Sequence, residues 1–270
     1  MKKAALAPIG VFDSGLGGLT VFKALSRRMP EESLIYFGDT AHVPYGSKSP
    51  QAIARFSAEV ARFLAHRGIK LLVVACNTSS AWALPEIRRA VKVPVVGVIE
   101  PGARAALAVS RGGPIGVIGT EATVKSGAYP RALKALSRRV RSESRACPLF
   151  VPLVEEGWWS GSVVREVARR YVAPLKAAGI DTLILGCTHY PYLKPVLAKA
   201  MGSRVRLIDS AEETARETER VLADLGLRAP KNRRGRRDYF ASDAPERFAR
   251  LGSRMLGRRI SQVKLHPFDA

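Results

Sequence analysis

Apolar, β-branched runs alternate along this chain with stretches whose apolar positions recur at helical spacing. The runs that read as strands are Ile9–Phe12, Leu34–Phe37, Leu71–Ala75, Val93–Val98, Ile115–Ile118, Thr182–Leu185 and Arg204–Ile208. Several are apolar throughout, the pattern of strands covered by helices on both faces. Strand and helix patterns in alternation predict an α/β fold with mainly parallel sheets. Ser49–Pro50 predicts the start of a helix running to about His66, with serine as N-cap and proline in the first turn. Ser210 with Glu213 predicts a capping box for a helix through about Leu225. The stretch from Cys147–Pro148 to Pro152 reads as a short strand or loop leading into Glu155. Asn232 to Arg237 reads as an exposed loop, and Tyr239, Phe240 and Phe248 as strand and core residues.

Two landmarks occur twice. Gly10–Val11–Phe12–Asp13–Ser14 is similar to Gly116–Val117–Ile118–Gly119–Thr120, and Val74–Ala75–Cys76–Asn77–Thr78 is similar to Leu185–Gly186–Cys187–Thr188–His189. The two offsets nearly agree. The pattern predicts two similar α/β lobes related by a pseudo-twofold. Glu100–Pro101–Gly102 marks a boundary. The first lobe is then residues 1–99 plus 211–270, and the second 100–210.

Composition narrows the class. The 270 residues are 47% hydrophobic, which suits packed cores and argues against disorder. No apolar run approaches a membrane span. Met1 to Ala7 carries only a short apolar stub before Pro8, unlike a signal peptide, so the chain reads as cytoplasmic. Cys76, Cys147 and Cys187 form no disulfide framework, and Cys187–Thr188–His189 is too tight for usual zinc spacing, so no metal is expected.

The net charge is +21, and Arg228 to Arg259 holds eleven Arg/Lys against three Asp/Glu. Such a surface steers anionic substrates and binds polyanions through general electrostatics. No stacking-aromatic pattern accompanies the basic run, so nucleic acid is expected only as a non-specific partner.

The chemistry-bearing residues sit at the ends of predicted strands, where open α/β sheets bind ligands. They are Asp13–Ser14, Cys76–Asn77–Thr78, Thr120 with Thr123, and Cys187–Thr188–His189. Cys76 and Cys187 each follow an apolar strand and precede a predicted helix start, where the positive helix end lowers a thiol pKa. Two cysteines at equivalent points of a repeat point to paired thiol acid/bases. Cys147 lacks that context and reads as structural. Gly15–Leu16–Gly17–Gly18 lacks the dinucleotide spacing, and Asp13 would repel a pyrophosphate, so a smaller anion such as a carboxylate fits better. Gly119 to Ser126 misses the phosphate-loop pattern because Val124 stands where the second glycine is needed.

The strings Gly10–Val11–Phe12–Asp13–Ser14–Gly15–Leu16–Gly17–Gly18, Gly38–Asp39–Thr40, Pro44–Tyr45–Gly46, Cys76–Asn77–Thr78 and Gly186–Cys187–Thr188–His189–Tyr190–Pro191 resemble the glutamate racemase family. They run in the family's order from about Ile9 to Ala215. The resemblance implies two α/β lobes with the active site in the cleft between them, a cofactor-independent reaction without pyridoxal phosphate or metal, and D-glutamate supplied to peptidoglycan synthesis. It implies Cys76 and Cys187 as the catalytic pair, Cys76 acting on the D- and Cys187 on the L-enantiomer, assisted by Asp13 and His189. Asp13, Ser14, Tyr45, Gly46, Asn77, Thr78, Thr188 and His189 would hold the substrate, with Thr120 and Thr123 as further contacts. Asp39 and Glu155 resemble polar residues behind the site. The expected partner is L- or D-glutamate in a homodimeric enzyme. Two alternatives stay open: a racemase of aspartate or a related amino acid, and a polyanion-binding protein on a racemase-like fold.

Overall fold

A computed structural model describes residues 2–268; Met1, the start of the amino-terminal stub read above, lies outside them. The strands are β1 (Ile9–Asp13), β2 (Leu34–Gly38), β3 (Leu71–Val74), β4 (Val95–Gly97), β5 (Ile115–Gly119), β6 (Ser142–Ala146), β7 (Thr182–Gly186), β8 (Arg206–Asp209), β9 (Arg237–Ala241) and β10 (Lys264–Leu265). They form two sheets, ordered β10-β9-β2-β1-β3-β4 and β6-β5-β7-β8. Every pairing is parallel. The core of each sheet has the same order: its second strand, then its first, third and fourth. The repeated landmarks therefore occupy matching strands, β1 with β5 and β3 with β7.

The central strands β1, β3, β5 and β7 are buried along their whole length. Side chains on both faces enter cores roofed by helices, which is why these strands read as unbroken apolar runs. The edge strand β6, Ser142–Ala146, alternates between half-buried and exposed positions. Its sequence Ser-Glu-Ser-Arg-Ala gave no apolar signal. Arg237, placed in a loop from sequence, opens β9 instead, next to β2. Tyr239 and Phe240 lie in β9, and Phe248 is buried, as read.

Ser49 caps the helix Pro50–His66, accepting from the Ala52 N–H at 3.2 Å. The Ser210 capping box does not form. Ser210 has helical backbone angles and no capping bond; Asp209 takes that role, accepting from the Ala211 N–H at 3.1 Å. The segment before Glu155 is a turn only through Leu149: Phe150–Glu155 is a helix, because Phe150, Val151 and Val154 share its buried face.

After β8 the chain returns to the larger sheet, and a buried ion pair anchors it there. Lys70 meets Glu32 at 2.5 Å and donates to the carbonyls of Ala5 at 2.6 Å and Leu227 at 2.8 Å. Glu32 also accepts from the Ala229 N–H at 2.8 Å. Removing one member of such a pair strands the other charge and costs about 3–5 kcal/mol. Much of the basic tract is bound up likewise. Arg228 pairs with Glu31 and Glu219, Arg247 with Glu156, and Arg237 donates to the carbonyls of Glu32 and Pro30.

Candidate active site

Register places the functional residues. Phe12 pairs with Val74, so Asp13–Ser14 and Cys76–Asn77–Thr78 leave the larger sheet together. Gly119 pairs with Gly186, so Thr120 and Cys187 leave the smaller sheet together. The two rims meet at one cavity. Ser14, Val43, Pro44, Tyr45, Gly46, Cys76, Asn77 and Thr78 line it from one side, and Thr120, Val151, Cys187, Thr188 and His189 from the other. Its free volume is about 20 Å³. That is room for about one water.

Two glycines let the rims approach so closely. A Cβ on Gly17 would lie 2.4 Å from Thr188 Oγ1 and 2.6 Å from His189 Nδ1. A Cβ on Gly46 would lie 2.5 Å from Thr120 Cβ. Neither glycine has positive φ, so the requirement is space and not backbone freedom.

Cys76 N-caps the helix Asn77–Trp82, its sulfur accepting from the Ser79 N–H at 3.4 Å. It lies 3.5 Å from Ser14 Oγ, to which the thiol donates. The helix end was expected to lower this thiol's pKa. Burial and the neighbouring Asp13 charge instead push it up, against the weaker opposing effect of Ser14 and Ser79, which can donate to the thiolate. The dipole of one short helix is outweighed by desolvation of the thiolate. Asp13 lies fully buried behind Ser14, accepting from Gly15 N–H at 3.0 Å and Thr188 Oγ1 at 3.2 Å. Burial raises its own pKa, against the charge of His189 and hydrogen bonds from Gly18, Gly15 and Thr188.

Cys187 has different surroundings. No helix begins at it: a turn through Thr188 and His189 leads to the 3-10 segment Tyr190–Leu193, so the helix-end argument fails on this side. Its sulfur is 3.7 Å from His189 Nδ1, and His189 Nε2 is 2.7 Å from Glu155 Oε1. Burial works against the imidazolium, but hydrogen bonds to Cys187 and Glu155 carry the His189 pKa well above its ordinary value. Burial also opposes ionisation of Glu155, yet the hydrogen bond and charge of His189 hold its pKa below the usual range. A charged chain from carboxylate to imidazolium thus ends beside the Cys187 sulfur.

Neutral donors complete the wall. Thr78, Thr120 and Thr123 form a hydroxyl triangle with separations of 3.0–3.1 Å. Thr123 sits behind the other two and does not line the cavity. Asn77 Oδ1 accepts from the Tyr129 hydroxyl at 2.7 Å, while Asn77 Nδ2 is buried with no hydrogen-bond partner among the described residues. Asp39 is buried behind Tyr45, whose hydroxyl donates to it at 2.5 Å; Ser242 and His42 also reach it. Cys147 is buried away from the cavity, beside the Arg145 carbonyl. Val43, Pro44, Val151 and Tyr129 were not picked out as site residues from the sequence. Pro44 lay inside a quoted motif; the others carry no local signal. Among the described residues no cluster of three His, Cys, Asp or Glu could hold a metal, and no helix is long and apolar enough to cross a membrane.

The likeness extends to known proteins. The profile of the Asp/Glu/Hydantoin racemase family matches residues 12–218. A glutamate racemase from Geobacter metallireducens is 54% identical over 255 residues, 94% of each chain. A glutamate racemase isoform from Bacillus anthracis superposes with a TM-score of 0.91 at 40% identity, covering 97% of each chain. A glutamate racemase from Francisella tularensis, solved in complex with D-glutamate, gives 0.91 at 36% identity over 98% of this chain and 99% of that one. Profile, sequence and shape agree along nearly the whole length, and the chain belongs to the Asp/Glu/Hydantoin racemase family.

Proposed function

We propose that this protein is a cofactor-independent glutamate racemase, with Cys76 and Cys187 as opposed acid/bases, supplying D-glutamate for peptidoglycan. One observation carries the reading: two cysteines just past the ends of matching strands of two sheets line the same cavity. The strand membership supports lobes of residues 1–99 plus 211–270 and 100–210, and we take the working unit to be a homodimer.

Racemisation breaks the Cα–H bond on one face and makes it on the other, which one base cannot do without turning the substrate. The charge pattern supports Cys76 resting as the thiol. Cys187, beside the His189 imidazolium, takes the proton from L-glutamate. The Cys76 S–H then protonates the opposite face, leaving D-glutamate, a Cys187 thiol and a Cys76 thiolate. The reverse sequence serves the D-enantiomer. Developing negative charge on the substrate α-carboxylate would be met by Asn77 Nδ2 and by the Thr78, Thr120 and Thr188 hydroxyls, which act strongly because water is excluded. A cavity for one water admits glutamate only after Gly17 parts from Thr188 and Gly46 from Thr120, so binding requires the rims to separate and close again.

The test is circular dichroism of L- or D-glutamate with enzyme and no added cofactor. Decay of the signal to zero is expected, with one deuterium entering Cα per turnover in heavy water. Activity surviving the double replacement Cys76→Ser, Cys187→Ser would end the reading. Faster decay with aspartate than with glutamate would move the protein to the sister activity.

A further inference from the structure

The Asn77 amide is the least symmetrical donor at the site. Turned one way, it offers two N–H donors to the cavity; turned the other, a carbonyl that would repel a carboxylate. Nothing in the helix Asn77–Trp82 decides between them. The deciding contact comes from the other sheet. Tyr129, on the helix Ala128–Leu136, puts its hydroxyl 2.7 Å from Asn77 Oδ1.

Tyr129 has little freedom to do otherwise. It is buried in the core beneath the smaller sheet, with Ile115, Val117 and Ile184. Its ring lies between two glycines. A Cβ on Gly186, the residue before Cys187, would come within 2.9 Å of one edge. A Cβ on Gly102 would lie 3.3 Å from the hydroxyl and 3.4 Å from the ring on another. Ser210 lies close to the same hydroxyl, with its Cβ also 3.3 Å from a Cβ on Gly102. The phenol proton goes to Asn77 Oδ1. Asn77 lines the cavity, and its Nδ2 is left buried and unpartnered among the described residues.

We propose that Tyr129 is a positioning residue that locks the Asn77 amide with its N–H groups toward the substrate, and so makes the donor conditional on the two rims being together. The proposal rests on the racemase reading for its consequence, though not for its geometry. Burial pushes the Tyr129 pKa up, so the phenol stays a neutral donor wherever the enzyme works. The bond spans the sheets: Asn77 follows β3 and Tyr129 packs against β5 and β7. Opening the rims would release the amide as well as the substrate.

A double-mutant cycle tests this. Tyr129→Phe keeps the ring and its packing and removes only the hydroxyl. It should lower kcat/KM for both enantiomers about tenfold, the scale of one lost hydrogen bond, chiefly through KM. In an Asn77→Ala background the same change should cost less than about twofold, because its route to the substrate is gone. An equal loss in both backgrounds, or none in either, overturns the proposal. A second readout needs no activity: the side-chain amide resonances of Asn77, assigned with Asn77→Ala, should shift or broaden in Tyr129→Phe. Unchanged amide resonances would also overturn it. A wild-type protein inert toward glutamate, yet with an amide sensitive to Tyr129→Phe, would sink the racemase reading and leave the positioning role standing.

Discussion

The two halves of the cavity carry the same atom just past matching strands and surround it with opposite chemistry. Cys76 faces a buried carboxyl, Asp13, and its thiol pKa is pushed up. Cys187 faces an imidazole whose pKa is itself pushed up by Cys187 and Glu155. A duplicated scaffold therefore supplies position, while single polar neighbours supply protonation state. In two identical halves neither sulfur would be preferred as proton donor; the unlike neighbours here break that symmetry.

The largest expected effect comes from removing either sulfur. Cys76→Ser and Cys187→Ser should each lower kcat/KM by at least about 10³, since the proposed mechanism makes each one of its two proton carriers. Near-normal racemisation by one of them, in a circular-dichroism assay, would show that the halves are not partners.

Next come the glycines that let the halves meet. Gly17→Ala forces Thr188 and His189 away, and Gly46→Ala forces Thr120 away. A misplacement of this size costs about 10²-fold in rate. Because Gly17 touches the Cys187 side, its variant should lose mainly kcat. Gly46 adjoins a hydroxyl of the substrate wall, and its variant should lose mainly through KM. Steady-state kinetics on both enantiomers would reveal identical patterns if the contacts merely close a lid.

How much of this was legible in the chain follows from the same division. Position was legible. Apolar runs gave the central strands, and the repeated Cys76 and Cys187 motifs gave the rim residues, because each depends on local sequence. Protonation was not. The helix-end argument misjudged Cys76, since burial and Asp13 outweigh a dipole, and it does not apply at Cys187, since no helix begins there. The resemblance implied Thr123 as a further substrate contact; the fold sets it against the Thr78 and Thr120 hydroxyls and outside the cavity lining. Tyr129 and Val151 reach the site from elements distant in sequence, and no string near either points there. Polar edge strands such as β6 left no periodic signal. The Ser210 box failed because Asp209, one residue earlier, takes the cap.

A smaller change sharpens the contrast between the thiols. Glu155→Gln removes the charge that helps hold His189 protonated. Enantiomers have equal free energies, so kcat/KM must fall equally in both directions, by about tenfold for a lost charged hydrogen bond. The asymmetry then appears in the pH profile. His189 should deprotonate at lower pH, moving the alkaline limb of kcat/KM downward. Asp13→Asn acts on the other side: with the carboxylate gone, the Cys76 thiolate should form at lower pH, read by thiolate absorbance in a Cys187→Ser background. Equal alkaline shifts from both variants would erase the distinction drawn between the halves.

The smallest expected effect is on stability, and its sign follows from linkage. His189 has a folded pKa raised above 6.5, so its pairing stabilises fully below that value and is lost as pH rises through the raised one. Glu155 has a folded pKa below 4.5, so its contribution is complete above that value and is lost as pH falls through the lowered one. Both are fully present together between 4.5 and 6.5. In that window Glu155→Gln should destabilise the fold by about 1–2 kcal/mol, the scale of a charge-assisted hydrogen bond. The deficit should shrink above it as wild-type His189 loses its proton. Urea denaturation of both proteins across this range measures the difference directly. A deficit that stays constant into alkaline solution would mean that His189 is held neutral, and would remove the positive charge on which the Cys187 side of the comparison rests.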